Sequence, residues 1–277
     1  MKFGGAVVSI EDCVAGMDRI PPGSVDLVVA DPPYNLDKPI AGDDMNDRAY
    51  LDFTRLWITG ALRALRENGS IYVCCAMTFQ PYIHVIMKNE FELHHVDTII
   101  WTYSHSIHCV KRKFQSAYDP ILLFSKGVDY VFNLDDLRDP DAFARFDKRN
   151  NRLGKALPNV WYIEAKRWNH PERKEFYKRD GLGNFVQKGH PTQKPLKLID
   201  RMILMSSNPG DTVLDPFVGS CTAGVSCLKN DRKFIGFEID PQWKDIIERR
   251  LSRTYKKHSS RKLTDFLEGG KTWQIAP

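Results

Sequence analysis

The sequence predicts an α/β chain built on a mainly parallel sheet with helices on both faces. Three observations predict it. Short β-rich runs alternate with helical stretches along the chain, the pattern of repeated strand–helix–strand units. One run, Val25–Ala30 (VDLVVA), is nearly all apolar, as a strand covered on both faces must be. Two strands run into polar loops rich in turn residues, and such sheets hold ligands beyond the carboxyl ends of their strands.

The elements follow in order. Ala6–Ile10 reads as the first strand and 11–19 as a short helix. Val25–Ala30 stops at Asp31-Pro32-Pro33-Tyr34, where two prolines end both strand and helix. Leu51, Leu56, Ile58, Leu62 and Leu65 give 50–66 a helical stripe. Asn68-Gly69 closes it, and 70–76 is the next strand. A helix over 79–89 and strands over 95–101 and 121–124 follow. From 127 to 189 charges, aromatics and turn residues mix without a period. That is too long for an ordinary connection and reads as a small inserted recognition unit. Order returns with a helix over 195–206, Pro195 in its first turn. A short buried strand over 212–214, a helix through 228, a strand over 233–237 and a closing helix over 242–252 complete the pattern. The division is 1–126, one half of the main domain; 127–189, the insert; 190–253, the other half; and 254–277, a basic C-terminal tail.

A chain of 277 residues, 42% hydrophobic and 27% charged, buries a core without disulfides or metals. Collagen, coiled coil and disulfide scaffold are excluded. The six cysteines (13, 74, 75, 109, 221 and 227) fit neither a zinc ribbon nor a disulfide framework. They read as buried thiols of a cytoplasmic protein, and no segment reads as a secretory signal or membrane span. His105, His108 and Cys109 offer only three potential ligands, and no metal is expected. The net charge of +5 is unevenly placed. Residues 145–190 hold 12 Lys/Arg against 5 Asp/Glu, a local +7, so the remainder carries −2. A basic block on a near-neutral body fits a polyanionic partner, and equally a solvated loop.

Two loops carry candidate chemistry. The strand over 212–214 runs into Asp215-Pro216-Phe217-Val218-Gly219-Ser220-Cys221-Thr222. Its small residues let backbone approach a ligand, and it is neither a G-x-G-x-x-G nor a Walker A loop. Glu238 ends the next strand, where a carboxylate commonly takes ribose hydroxyls. Together they suggest an adenosine-bearing cofactor, while the loop alone also reads as a turn with a helix cap. In the other loop, Asp31 and a proline carbonyl are two acceptors for one NH2 group, and Tyr34 is a stacking face. An exocyclic amine is a poor nucleophile because its lone pair is delocalised. Two acceptors on its hydrogens stabilise the charge that develops on attack. In isolation the tetrapeptide is equally a tight turn.

In these residues the chain resembles the S-adenosylmethionine-dependent DNA amino-methyltransferases, the adenine-N6/cytosine-N4 family, in the group that places the catalytic loop before the cofactor loop. Asp31-Pro32-Pro33-Tyr34 matches the family's catalytic tetrapeptide, and Asp215 to Thr222 its cofactor motif. His190-Pro191-Thr192-Gln193-Lys194-Pro195 matches the segment leading into the cofactor half, and Asp12-Cys13 its acidic site beside adenine. The resemblance covers roughly 8–126 and 188–250. It implies a Rossmann-like sheet in circularly permuted order and an S-adenosyl-L-methionine cofactor. Asp31 and the backbone of Pro32 would hold the amine, Pro33 completes the catalytic tetrapeptide, and Tyr34 would stack on the base. Asp215, Phe217, Gly219, Ser220, Cys221 and Thr222 would line the cofactor, Glu238 would bind the ribose, and Lys194 the methionine carboxylate. His190 and Thr192 would shape the turn. Two positions depart from the pattern: Cys221 replaces the second glycine of Gly-Ser-Gly-Thr, and Glu11 stands where a glycine is frequent. A position that needs φ > 0 would strain a cysteine.

The implied partner is double-stranded DNA, with a homodimer and a cognate restriction endonuclease as further partners the resemblance allows. A base inside a duplex must be flipped out, at a few kcal/mol, so the enzyme needs a grip on phosphates. Lys166, Arg167, Arg173 and Lys174 of the basic block are the expected DNA contacts, and the tail, with five Lys/Arg over 253–262, is a second candidate. His105, His108, Lys111, Arg112 and Lys113 read as a DNA-facing loop, and Asp43, Asp44 and Asp47 as a solvated segment after the catalytic loop. The expected activity is adenine-N6 methylation. Cytosine-N4 methylation more often goes with Ser in place of Asp31, and a catalytically idle DNA-binding module is disfavoured by the intact motifs.

Overall fold

The computed structural model describes residues 1–37, 42–103, 111–112, 114–138, 154–164, 177–179, 185–187 and 192–269. The strands in chain order are β1 (Lys2–Phe3), β2 (Ala6–Ile10), β3 (Val25–Ala30), β4 (Leu65–Cys74), β5 (His94–Thr102), β6 (Tyr118–Ser125), β7 (Val160–Tyr162), β8 (Tyr177–Arg179), β9 (Phe185–Gln187), β10 (Thr212–Asp215) and β11 (Lys233–Glu238). The helices are α1 (Cys13–Met17), α2 (Asp47–Ala64), α3 (Gln80–Val85), α4 (Leu196–Ser206), α5 (Thr222–Lys229) and α6 (Lys244–Gly269). Nine strands form one mixed sheet in the order β1-β2-β11-β10-β3-β4-β6-β5-β7, and β8 pairs with β9 separately. Among the described residues, β2, β11, β10, β3 and β4 run parallel, while β6 is antiparallel to both of its neighbours.

Helices cover both faces. α1 packs on α2 and α2 on α3, while α4, α5 and α6 form the other layer. β3 therefore has almost no exposed position, and its apolar run follows from being covered twice. Side chains set where helices begin: Asp12 caps α1 through the Ala15 N–H and Asn46 caps α2 through the Ala49 N–H, each at 3.0 Å. Pro195 directly precedes α4.

The topology decides where a ligand can sit. The chain leaves β3 through α2 to β4 on one side, and leaves β10 through α5 to β11 on the other. β3 and β10 are paired neighbours, with Leu214 opposite Val28. A crevice opens beyond the carboxyl ends at such a reversal. Asp31 and Asp215 are carried to that same end.

Several expectations are revised. β4 begins at Leu65 and passes through Asn68-Gly69, whose extra residues are absorbed by a register shift against β3. The helix over 79–89 divides into α3 and a π-helical turn, Ile86–Glu90. Much of the expected insert that can be described belongs to the main body. Asn133 donates to the carbonyls of Leu204 and Ser207 at 3.0 and 2.9 Å, and β7 extends the sheet beside β5. The buried Trp101 indole donates to the Ile163 carbonyl at 2.7 Å. α6 runs unbroken past residue 253, so 254–269 continue the closing helix. That helix also leads away from the crevice. Tyr255 lies against Gly4, and His258 Nε2 is 3.0 Å from Asp231 Oδ1, at the amino ends of β2 and β11. The described basic residues of the tail thus stand at the far end of the sheet. Asp43 is fully buried rather than solvated. Cys13, Cys74, Cys75, Cys221 and Cys227 are buried free thiols. No helix among the described residues is long and apolar enough to cross a membrane. His105, His108, Cys109 and Lys113 lie outside the described residues.

Candidate active site

One cavity of about 730 Å³ opens at the crevice, and both loops line it. On the β10 side, Asp215 Oδ1 accepts from the Phe217 N–H at 2.9 Å and turns the chain off the strand. The loop then lies directly on β11. A Cβ on Gly236 would stand 2.3 Å from Val218 Cγ2, so only glycine lets the loop settle there. The Gly219 N–H donates to Glu238 Oε2 at 2.7 Å, and the Asp240 N–H to Oε1 at 2.9 Å. Phe217 meets the Trp57 ring edge-on, with centroids 5.4 Å apart, and Phe53 flanks it at 6.1 Å. Arg250 of α6 clamps the loop from behind, donating to the Ser220 carbonyl, to Ser220 Oγ at 2.9 Å and to Thr222 Oγ1 at 3.3 Å.

Cys221 takes the left-handed conformation, φ 62° and ψ 42°, at the start of α5. The departure from glycine therefore falls on a position that does require φ > 0, a strain of about 1–2 kcal/mol. The expectation that Cys221 lines the cavity is not met. Its thiol is buried beneath the loop, where a Cβ on Gly224 would approach Sγ to 2.5 Å. Asp12, Cys13, Asp215, Phe217, Gly219, Ser220, Thr222 and Glu238 do line it.

The β3 side holds the tetrapeptide rigidly. Tyr50 Oη donates to the Pro33 carbonyl at 2.9 Å. Asn35, itself left-handed at φ 56°, accepts from the Met45 N–H at 2.8 Å. Asp43 closes the loop by accepting from the Leu36 N–H at 3.2 Å. Asp31, Pro32, Pro33 and Tyr34 all line the cavity, as do Thr192 and Lys194. Lys194 Nζ lies 2.6 Å from Asp31 Oδ1 and 4.8 Å from the Tyr34 ring centre. Burial alone would lower the Lys194 pKa, but Asp31, together with the neighbouring Cys74 and Asp119, outweighs it and the ammonium is held up. Trp101, Tyr103 and Asp119, from the facing ends of β5 and β6, complete the wall. Tyr103 Oη donates to Asp119 Oδ1 at 3.3 Å, and burial with the Asp119 charge pushes its phenol up to about 12.

Two buried acids are raised. Burial lifts Glu238 against the pull of the Asp240, Gly219 and Ile239 N–H groups. Asp215 is lifted to about 8, chiefly by burial and further by Asp31 and Glu238, against the Phe217 N–H and Lys194. The sign follows from linkage. The folded chain keeps the Asp215 proton up to about pH 8, while the unfolded chain sheds it near the ordinary value of 3.8. This group therefore costs stability progressively as pH rises from about 4 to about 8. Asp215→Asn keeps an oxygen for the Phe217 N–H and removes the titration. Thermal denaturation without added ligand is expected to show equal midpoints near pH 4. At pH 8 the variant should gain on the order of 5 °C, and equal midpoints at both pH values would refute the buried-acid account.

A family model described as DNA methylase matches residues 25–249. The chain belongs to this N6/N4 DNA amino-methyltransferase family. The type II methyltransferase M.HpaI of Haemophilus parainfluenzae is 33% identical over 252 residues, covering 90% of this chain and 75% of that protein. The DNA adenine methyltransferase YhdJ of Escherichia coli K12 is 34% identical over 264 residues, 90% of this chain and 84% of that one. Among solved structures, the cytosine-N4-specific PvuII DNA methyltransferase superposes with a TM-score of 0.70 at 19% identity, covering 94% and 97% of the two chains. The M1.HpyAVI–SAM complex gives 0.59 at 22% identity over 88% and 99%. At those identities the likeness concerns the fold.

In this methyltransferase the structure brings together most residues the sequence singled out. His190, Lys166, Arg167, Arg173 and Lys174 lie outside the described residues. Arg250, Phe53, Trp101, Tyr103, Asp119 and Trp243 had no counterpart in the sequence reading. The available signal was position. Trp101, Tyr103 and Asp119 sit where β5 ends and antiparallel β6 begins, at the crevice end of the sheet.

Proposed function

We propose that the chain transfers a methyl group from S-adenosylmethionine to the N6 amine of an adenine flipped out of duplex DNA. The carrying observation is that the Asp31–Tyr34 loop and the loop from Asp215 to Thr222 open into one cavity. The lining fits the cofactor. About 730 Å³ is within the range of small-molecule sites. Glu238 faces it as an acceptor for ribose hydroxyls, Phe217 and Trp243 offer apolar faces, and Lys194 offers a cation for a carboxylate. When bound, S-adenosylmethionine supplies an electrophilic methyl on a positively charged sulfur.

The rest falls to the protein. Asp31 Oδ accepts one amine hydrogen and the Pro32 carbonyl the other, localising the lone pair on nitrogen. Tyr34 stacks on the ring. The N–C bond forms as the C–S bond breaks, its electron pair stays with sulfur, and the extra proton leaves nitrogen through the Asp31 carboxylate to water. Adenine is supported by an aspartate rather than a serine at position 31, and by the name of the 34%-identical relative YhdJ. The test is methyl transfer from labelled S-adenosylmethionine to duplex DNA of varied sequence, with nucleosides of the product read by mass spectrometry. N6-methyldeoxyadenosine is expected. N4-methyldeoxycytidine would move the chain to the other branch, and DNA binding without transfer would overturn the enzymatic reading.

A further inference from the structure

Lys194 joins the two halves of the cavity. Its backbone carbonyl accepts from the Thr222 hydroxyl of the cofactor loop at 3.4 Å, while its ammonium lies 2.6 Å from Asp31 Oδ1 in the catalytic loop. The same ammonium stands 4.8 Å from the centre of the Tyr34 ring and 6.0 Å from that of Trp101. It therefore fills the place, against Asp31 and over Tyr34, where the target amine has to go. A carboxylate paired so closely with an ammonium is a poor acceptor for a nitrogen that becomes positive as it is methylated. The two side chains are only 10% and 24% exposed, so solvent screens the pair weakly.

We propose that Lys194 alternates between two anions: Asp31, with which it pairs here, and the carboxylate of the cofactor's amino-acid part. Engaging the second frees Asp31 and the space over Tyr34 for the target amine. The inference rests on the reading of this cavity as the S-adenosylmethionine site. Lysine suits the task because its ammonium is a point charge on a flexible four-carbon stem, with three donors that need no fixed plane. No proton moves, since Lys194 stays an ammonium and Asp31 a carboxylate in both pairings. The consequence is an order of events. Loading of the cofactor loop precedes capture of the base, and the two ligands reinforce each other by one coupling energy.

S-adenosylhomocysteine separates this exchange from catalysis, because it keeps the carboxylate and has a neutral sulfur. In calorimetric titrations, Asp31→Asn is expected to tighten its binding on the order of tenfold, since the competing anion is gone. In a Lys194→Met background the same substitution is expected to change affinity by less than about twofold. Binding of 5′-methylthioadenosine, which lacks the amino-acid part, is expected to shift by less than about twofold with either substitution. Unchanged or weaker S-adenosylhomocysteine binding in Asp31→Asn overturns the exchange, as does equal tightening with and without Lys194. Asp31→Ser and Lys194→Gln serve the same cycle where a first-choice variant misfolds. A wild-type chain that binds neither nucleoside overturns the cofactor reading itself, which keeps the two failures distinct.

Discussion

Asp31→Ala is expected to lower kcat for methyl transfer by about 10²–10³-fold or more, the cost of removing one preorganised group aimed at developing charge. S-adenosylhomocysteine binding is expected to survive and, as in Asp31→Asn, to tighten. The asymmetry comes from geometry. Asp31 belongs to the loop after β3, whereas the loop that would cradle the cofactor is held by Glu238, Arg250 and the close approach to Gly236. Those restraints survive the substitution. The tetrapeptide also keeps its anchor, since Tyr50 binds the Pro33 carbonyl rather than the Asp31 side chain. Single-turnover kinetics with saturating cofactor read the chemical step directly. A rate within tenfold of wild type would remove Asp31 from the chemistry. A parallel loss of cofactor binding would mean that it shapes the site instead.

What the sequence reveals of this site, and what it conceals, follows from the range of the interactions. The bounds of β3 are legible because burial on both faces leaves a local apolar signature, and β2 is a short β-branched run although its Val7 side is open. The two loops are legible because each packs its chemistry into consecutive residues. Arg250 is not legible: it reaches Ser220 across 30 residues, and nothing in Glu248-Arg249-Arg250 distinguishes the inward guanidinium from an exposed one. Asp119 and Tyr103 meet only because β6 returns antiparallel beside β5, a pairing that no local pattern specifies. β7 is three residues long, below the length at which alternation can be recognised, and it is fixed by tertiary bonds such as Trp101 to Ile163. The length of α6 escaped for a related reason. Among the described side chains past residue 253, the contacts that hold it are isolated ones, Tyr255 on Gly4 and His258 on Asp231, and residues 254–260 carry no apolar stripe. Cys221 is the reverse case. The sequence raised φ > 0 as a concern at that position, and the backbone takes it.

The direction of α6 sharpens the expectation for DNA. Two basic segments compete for the phosphate grip: the block over 145–190 and the tail over 253–262. The exposed Lys256 and Lys257 stand at the amino-end side of the sheet, away from the crevice where the flipped base has to enter. The block is therefore expected to carry the salt dependence. Converting Lys166, Arg167, Arg173 and Lys174 to Gln is expected to reduce the slope of log K against log[salt] by about 0.9 for each phosphate that is no longer neutralised, roughly 3–4 in all. Affinity near 100 mM salt should fall on the order of 10²-fold or more. Fluorescence anisotropy of a labelled duplex across 50–200 mM salt measures both quantities. Converting Lys256 and Lys257 to Gln is the matched control and is expected to leave the slope unchanged. A block variant with an unaltered slope would make that charge a solvated face, and a flattened slope in the tail variant would place the grip on α6. The catalytic readout separates grip from chemistry. Losing phosphate contacts lowers affinity across all sequences alike, so the block variant is expected to lose kcat/KM at low DNA concentration and to recover its kcat at saturation, whereas Asp31→Ala recovers nothing.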